Sequence, residues 1–146
     1  VDKIIGDGIV CIFGPPFLSS DINDNIIRAN TCAKEIIKAT KKTKYSSKIA
    51  FHCGKINYFK NKSGLYKEFT MIGKPVTEIF RLESISIEER INYFDETLIR
   101  TYYQSKLKNL LATRPGENAE WLHNEHRVPD LKGINFKVFH SIRHNQ

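Results

Sequence analysis

Short apolar runs and longer amphipathic stretches alternate along the chain. Apolar residues within 1–5 and 9–13 flank Gly6, Asp7 and Gly8. Two β-branched runs around Asp-Gly predict a hairpin, because the central positions of its turn favour positive φ. Pro15 and Pro16 stop the second strand, and Ser19, Ser20 and Asp21 offer N-caps for a helix. From Ile22 to Thr40 the apolar positions Ile22, Ile26, Ala29, Ala33, Ile36 and Ile37 recur at helical spacing. A dense apolar run predicts a strand over 47–57, Asn61 to Gly64 a polar turn, and 66–72 the next strand. Pro75 stands in the first turn of a helix expected to run to Ile85. Residues 91–94 predict a short strand, and 96–111 a helix carrying Leu98, Ile99, Tyr102, Leu107, Leu110 and Leu111. Pro115 and Gly116 mark a loop over 113–119, and two strands, 119–131 and 134–142, meet at Lys132-Gly133.

The expected order is ββαββαβαββ, an α+β fold with helices packed against a mostly antiparallel sheet. A β-α pair ahead of Val1 would complete a ferredoxin-like βαββαβ core. The first residue already reads as part of a strand and is not Met, so the first strand and helix are expected to be missing. Residues 1–146 are expected to form one domain. No apolar run approaches the roughly 18 residues a membrane span requires, and no signal peptide leads the chain. No direct membrane contact is expected from this segment.

Charge and cysteine usage narrow the picture only slightly. The net charge of +7 admits a polyphosphate partner. Its densest run, KATKKTKYSSK over 38–48, reads as a solvated helix end, where lysines also complement the helix dipole. A sheet-based RNA-binding module is an alternative, but Phe51 and Phe59 do not form its Gly- and aromatic-rich signature, so no nucleic-acid partner is expected. Cys11, Cys32 and Cys53 fit no metal-ligand spacing and read as reduced, buried thiols, which suggests an intracellular compartment. His123, Glu125 and His126, with His140 later, are metal-ligating residue types, yet residues three apart on a strand face opposite ways, so no metal site is read here. The adjacent His52 and Cys53 are opposed in the same manner, so they do not form a nucleophile–base pair.

Three stretches together resemble the class III nucleotidyl cyclase catalytic domain. VDKIIGDGIVCIFGPP (1–16) is similar to the family's Lys, apolar pair and Gly-Asp ahead of a strand ending Phe-Gly-x-Pro. KIAFHCGKI (48–56) resembles its apolar strand with His-x-Gly. YKEFTMIGKPVTEIFRLES (66–84) resembles its aromatic-Thr-x-Ile-Gly turn and following Arg-Leu-Glu helix. DLKG at 130–133, ahead of an apolar strand, is a weaker match. The stretches fall in the family's order and span nearly the whole chain.

The resemblance implies an adenylate cyclase, which makes 3′,5′-cyclic AMP and pyrophosphate from ATP at the interface with a second cyclase domain. Two ions, Mg2+ or Mn2+, would activate the 3′-hydroxyl and neutralise the phosphates. On this resemblance Asp7 is the second metal-binding carboxylate, and Ile5 gives the ions a backbone carbonyl. Lys3 and Thr70 read adenine, Arg81 stabilises charge at the α-phosphate, and Lys132 contacts the terminal phosphates. His52 is structural. The residue that helps place the ribose is usually Asn, and here it is Thr77, which is shorter and lacks the amide donor. Lys74 also stands where an acidic or polar residue is common, with Pro75 after it. These departures motivate a second expectation, a catalytically degenerate domain acting as the nucleotide-binding or regulatory partner of another cyclase domain. The first metal carboxylate is expected on the strand ahead of residue 1, so residues 1–146 alone are expected to be inactive. The same resemblance implies a cytoplasmic location.

Overall fold

A computed structural model of the chain describes residues 3–5, 8–15, 18, 20–61, 68–113 and 123–143. The elements are β1 (Lys3–Ile5), β2 (Gly8–Val10), α1 (Ile22–Lys41), β3 (Ile49–Phe51), β4 (Asn57–Asn61) and β5 (Glu68–Ile72). After them come α2 (Lys74–Ile85), β6 (Arg90–Phe94), α3 (Thr97–Thr113), β7 (His123–Arg127) and β8 (Val138–Arg143). The fold is α+β, with the order ββαβββαβαββ and a four-stranded mixed sheet β3-β6-β8-β7. β3 runs parallel to β6, and β8 is antiparallel to both β6 and β7. β1–β2 and β4–β5 are separate antiparallel pairs.

The sheet alternation sorts the core into two layers, one on each face. Phe51, Ile91 and Tyr93 point towards α1 and α3, where they meet Ile26, Ala33, Ile37, Ile99 and Tyr103. Phe94 and Phe139 point the other way, towards Leu82 of α2, with Ala50, Ile85, Ile134 and Phe136 packed around them. Helices therefore cover both faces of the sheet. α1 starts where the sequence offers a cap: Asn23 N–H donates to Asp21 Oδ1 at 3.0 Å. Its buried stripe is Ile26, Ala33 and Ile37, while Ile22 and Ile36 fall at the margin and remain exposed.

Three expectations are corrected. The strand over 47–57 is only β3, 49–51, because the chain leaves the sheet at His52 and turns the imidazole under α2. Its last residue, Asn57, opens β4, which pairs with β5 in the register Asn57↔Ile72, so Asn61 belongs to a strand and not to a turn. The C-terminal strands are shorter than the expected 119–131 and 134–142. Pro129 has no N–H for a ladder, and after the Val128 N–H bond to Lys137 O at 2.8 Å the chain loops out until β8. The turn at Lys132-Gly133 is present within that loop, Gly133 having φ +82°. Among the described residues, no helix is long and apolar enough to cross a membrane.

Candidate functional site

α2 carries the best-defined part of the site. Its inner face is fixed by Leu82, fully buried against Phe94 and Phe139, and by Glu78, 6% exposed. Residues four apart share a helix face, so Thr77 and Arg81, each one position before these anchors, lie together on the exposed side. Phe80 is also 40% exposed. Nothing in the apolar spacing separates Phe80 from the buried Leu82.

The approach to α2 is tightly built. A Cβ on Gly54 would lie 2.3 Å from Pro75 Cγ, so the loop after β3 can pass the start of α2 only as glycine. Beyond it, His52 Nε2 lies 3.4 Å from Glu78 Oε1, and the ring stands edge-on to Phe94 and Phe136 at 5.6 and 5.8 Å. His52 is thus walled in by aromatic rings and bound to the anchor of α2, consistent with a structural role. Cys53 points to the opposite layer, its Sγ 3.6 Å from Glu96 Oε2. That carboxylate also accepts Ile99 N–H at the start of α3, at 2.9 Å. Burial, and then the Glu96 charge, push the Cys53 thiol up to about 12, which makes it a poor nucleophile.

Arg81 is exposed on α2. Two carboxylates are near it in sequence, and both are engaged elsewhere. Glu78 faces inward to His52, while Glu83 pairs with Lys48 at 3.2 Å. Among the described residues Arg81 forms no ion pair.

The remaining sequence-predicted residues lie on other elements. Thr70 lies in β5 opposite Phe59, three residues before Gly73, whose carbonyl accepts the first bond of α2 from Val76 N–H at 3.1 Å. Lys132 is exposed in the β7–β8 loop. The flanking Val128, Ile134 and Phe136 pack with Leu82 and Phe94, so this loop and α2 lie over the same face of the sheet. Lys3 and Ile5 occupy β1, opposite Val10 and Gly8. Gly6 and Asp7, the two positions between those strands, fall outside the described residues. The described residues hold no group of three His, Cys, Asp or Glu side chains suited to a metal ion.

The histidine run is divided between the two faces of the sheet. His123 stacks on His140 at 5.0 Å, and its Nε2 lies 3.0 Å from the Tyr93 hydroxyl. His126 faces the other layer, stacked on Phe139 at 4.8 Å with its Nε2 2.8 Å from Ser141 Oγ. The two imidazoles do face opposite ways. Comparison of the chain with family models, with curated proteins and with solved structures returns no match.

Proposed function

We propose that this chain is an adenylate cyclase catalytic domain of the class III type, with a ferredoxin-like core, converting ATP to 3′,5′-cyclic AMP and pyrophosphate in the cytoplasm. The observation that carries the reading is Arg81. It is exposed on a helix locked by Glu78 and Leu82, and both neighbouring carboxylates are bonded elsewhere. A cation carried on a fixed helix, with no counter-ion among the described residues, can meet the negative charge that grows at an α-phosphorus under attack. The resemblance of the surrounding motif supplies the substrate class.

In this reading Lys3 donates to an adenine ring nitrogen and Thr70 accepts from the exocyclic amine. Thr77, one turn before Arg81, faces the ribose, and Lys132 holds the terminal phosphates. Ile5 and Asp7 offer a carbonyl and a carboxylate, hard oxygen donors of the kind Mg2+ and Mn2+ take. They would hold the two ions together with a second carboxylate, and those ions would supply charge neutralisation and lower the pKa of the attacking hydroxyl. A second cyclase domain completes the site. The outer edge of β3, unpaired among the described residues, is available to a further strand of a ferredoxin-like core.

One observation favours the alternative of a degenerate regulatory domain. Thr77 shares the exposed face of Arg81 yet carries no amide to place the ribose. Cyclic AMP formation from ATP and Mn2+, measured on the full-length protein, separates the two. Product above a matched Arg81→Ala control supports the enzyme. Saturable ATP binding without product supports the regulatory domain. If neither product nor binding is seen, the cyclase reading falls.

A further inference from the structure

The corner between α1 and β3 gathers positive charge that cyclase chemistry does not use. Residues 36–48 hold five lysines and no carboxylate. Lys38, Lys41 and Lys42 stand three and four residues apart at the end of α1, so they project from one face of it. Lys44 follows in the turn, and all four are exposed. Lys48, the fifth, is held by Glu83 at 3.2 Å, whereas among the described residues the other four form no ion pair. Glu89 meets the far end of the run through its backbone, its N–H donating to Ser47 O at 2.7 Å.

A solvated helix end accounts for the lysines but not for Tyr45. At 67% exposed, Tyr45 is the most exposed large apolar side chain among the described residues. An ordered turn keeps it there. Thr43 N–H donates to Thr40 O at 3.0 Å, Thr43 Oγ1 donates to the same carbonyl at 2.8 Å, and Tyr45 N–H donates to Thr43 Oγ1 at 3.1 Å. Lys44 Nζ stands 5.3 Å from the centre of the Tyr45 ring, where the ring face attracts the ammonium. The turn therefore presents an amphipathic ring to water inside a cluster of cations. That pairing suits a boundary where one layer is apolar and the next is charged.

We propose that this corner, with Lys38, Lys41, Lys42 and Lys44 around Tyr45, docks on an anionic phospholipid surface. Charge complementarity supplies the attraction, each lysine near such a surface being worth about fivefold in binding. The Tyr45 ring settles at the level of the headgroups with its hydroxyl in water. Contact of this kind needs no membrane-spanning helix. A single-stranded nucleic acid fits the corner less well, because it takes several stacking rings along a groove. Residues 38–48 carry one aromatic side chain, Tyr45, and it stands at a helix end.

The test is cosedimentation of the full-length protein with vesicles of equimolar phosphatidylcholine and phosphatidylserine, with no nucleotide or divalent ion present. Binding should be saturable, absent from phosphatidylcholine alone, and weaker as salt rises, since the charges involved are exposed. Lys38→Gln, Lys42→Gln and Lys44→Gln combined should weaken it by about a hundredfold. Tyr45→Ser should weaken it further, and Tyr45→Trp should retain it. The matched loss of charge, Lys55→Gln, Lys74→Gln and Lys137→Gln combined, should bind as the parent does. Those three lysines are exposed at the opposite end of the sheet: Lys55 follows β3, Lys74 opens α2 beside it, and Lys137 precedes β8, whose start lies against the end of β6. Equal binding to the two kinds of vesicle, undiminished binding in the first triple variant, or equal losses in both triple variants overturns the proposal. Tighter binding to single-stranded RNA through the same lysines also overturns it, and assigns the corner to nucleic acid. The readout needs no cyclase turnover, so its failure and that of the cyclase reading are separate results.

Discussion

The Glu78 carboxylate lies 3.4 Å from His52 Nε2, with 8% and 3% of the respective side chains exposed, and this buried contact ties α2 to the chain just beyond β3. Glu78→Ala removes that partner, and the other ring nitrogen, Nδ1, already has none among the described residues. Stranding a buried polar group costs about 1–3 kcal/mol. Glu78→Ala should therefore lower stability by that amount in urea denaturation, while Glu78→Gln, which keeps an acceptor, should lose much less. Equal losses in both variants would show that the hydrogen bond contributes nothing.

Arg81 tests the opposite dependence. It is exposed and unpaired among the described residues, so Arg81→Ala should change stability by no more than about 0.5 kcal/mol. On the cyclase reading the same change should cut kcat about a hundredfold or more with KM little altered, since the charge it meets develops in the transition state. The measurement is steady-state cyclic AMP production by the full-length protein. Full turnover in the variant would sink the assigned role.

The α2 stripe was legible because helical spacing places Thr77 and Arg81 together however the rest of the chain folds. α1 was legible for the same kind of reason, since Asp21 is a local cap and Ile26, Ala33 and Ile37 a local stripe. The end of β3 was not. Apolar density over 47–57 says nothing of the tertiary contacts, Glu78 with His52 and Pro75 with Gly54, that pull this segment out of the sheet. Nor could local pattern show that Glu83 reaches Lys48, the ion pair that takes away one of the two nearby partners of Arg81.

The histidines predict a pH dependence of stability. Burial, and then the neighbouring His140, lower His123; Glu125 opposes this and His126 adds slightly to it, while Tyr93 stacks against the ring. Burial, then Arg90 and His140, lower His126, whose ring rests on Phe139 and meets Ser141. Unfolded imidazoles take up protons near about pH 6.5, where the folded ones still resist them. The unfolded state then binds more protons, so stability falls as pH drops below that value and is full above it. Denaturation midpoints measured between about pH 6.5 and pH 5 should decline, by at most about 1.4 kcal/mol per pH unit for each linked histidine. His123→Gln and His126→Gln should each flatten the slope. An unchanged slope in both would remove these groups as its source.

Base choice provides the sharpest check on the residue-by-residue assignment. Lys3 lies in β1 and Thr70 in β5, on two hairpins that are separate sheets in the fold, so nothing in the strand pairing itself requires them to act together. If both read adenine, they share one ligand and not one structural element. The base is held equally in ground and transition states, so changing these residues should alter which nucleotide is used more than how fast the bound one reacts. Lys3→Glu reverses a donor into an acceptor, and Thr70→Cys weakens the partner that meets the exocyclic amine. Combined, they should move preference from ATP towards GTP by roughly 1–3 kcal/mol, the scale of exchanging a satisfied hydrogen bond for an unpaired one. The ratio of kcat/KM for the two nucleotides is the measurement. Each single change should weaken ATP use without creating GTP use, because one mismatched partner rejects both bases. A double variant with the parent's nucleotide ratio would detach Lys3 and Thr70 from the base while leaving the Arg81 assignment to be judged by its own kinetics.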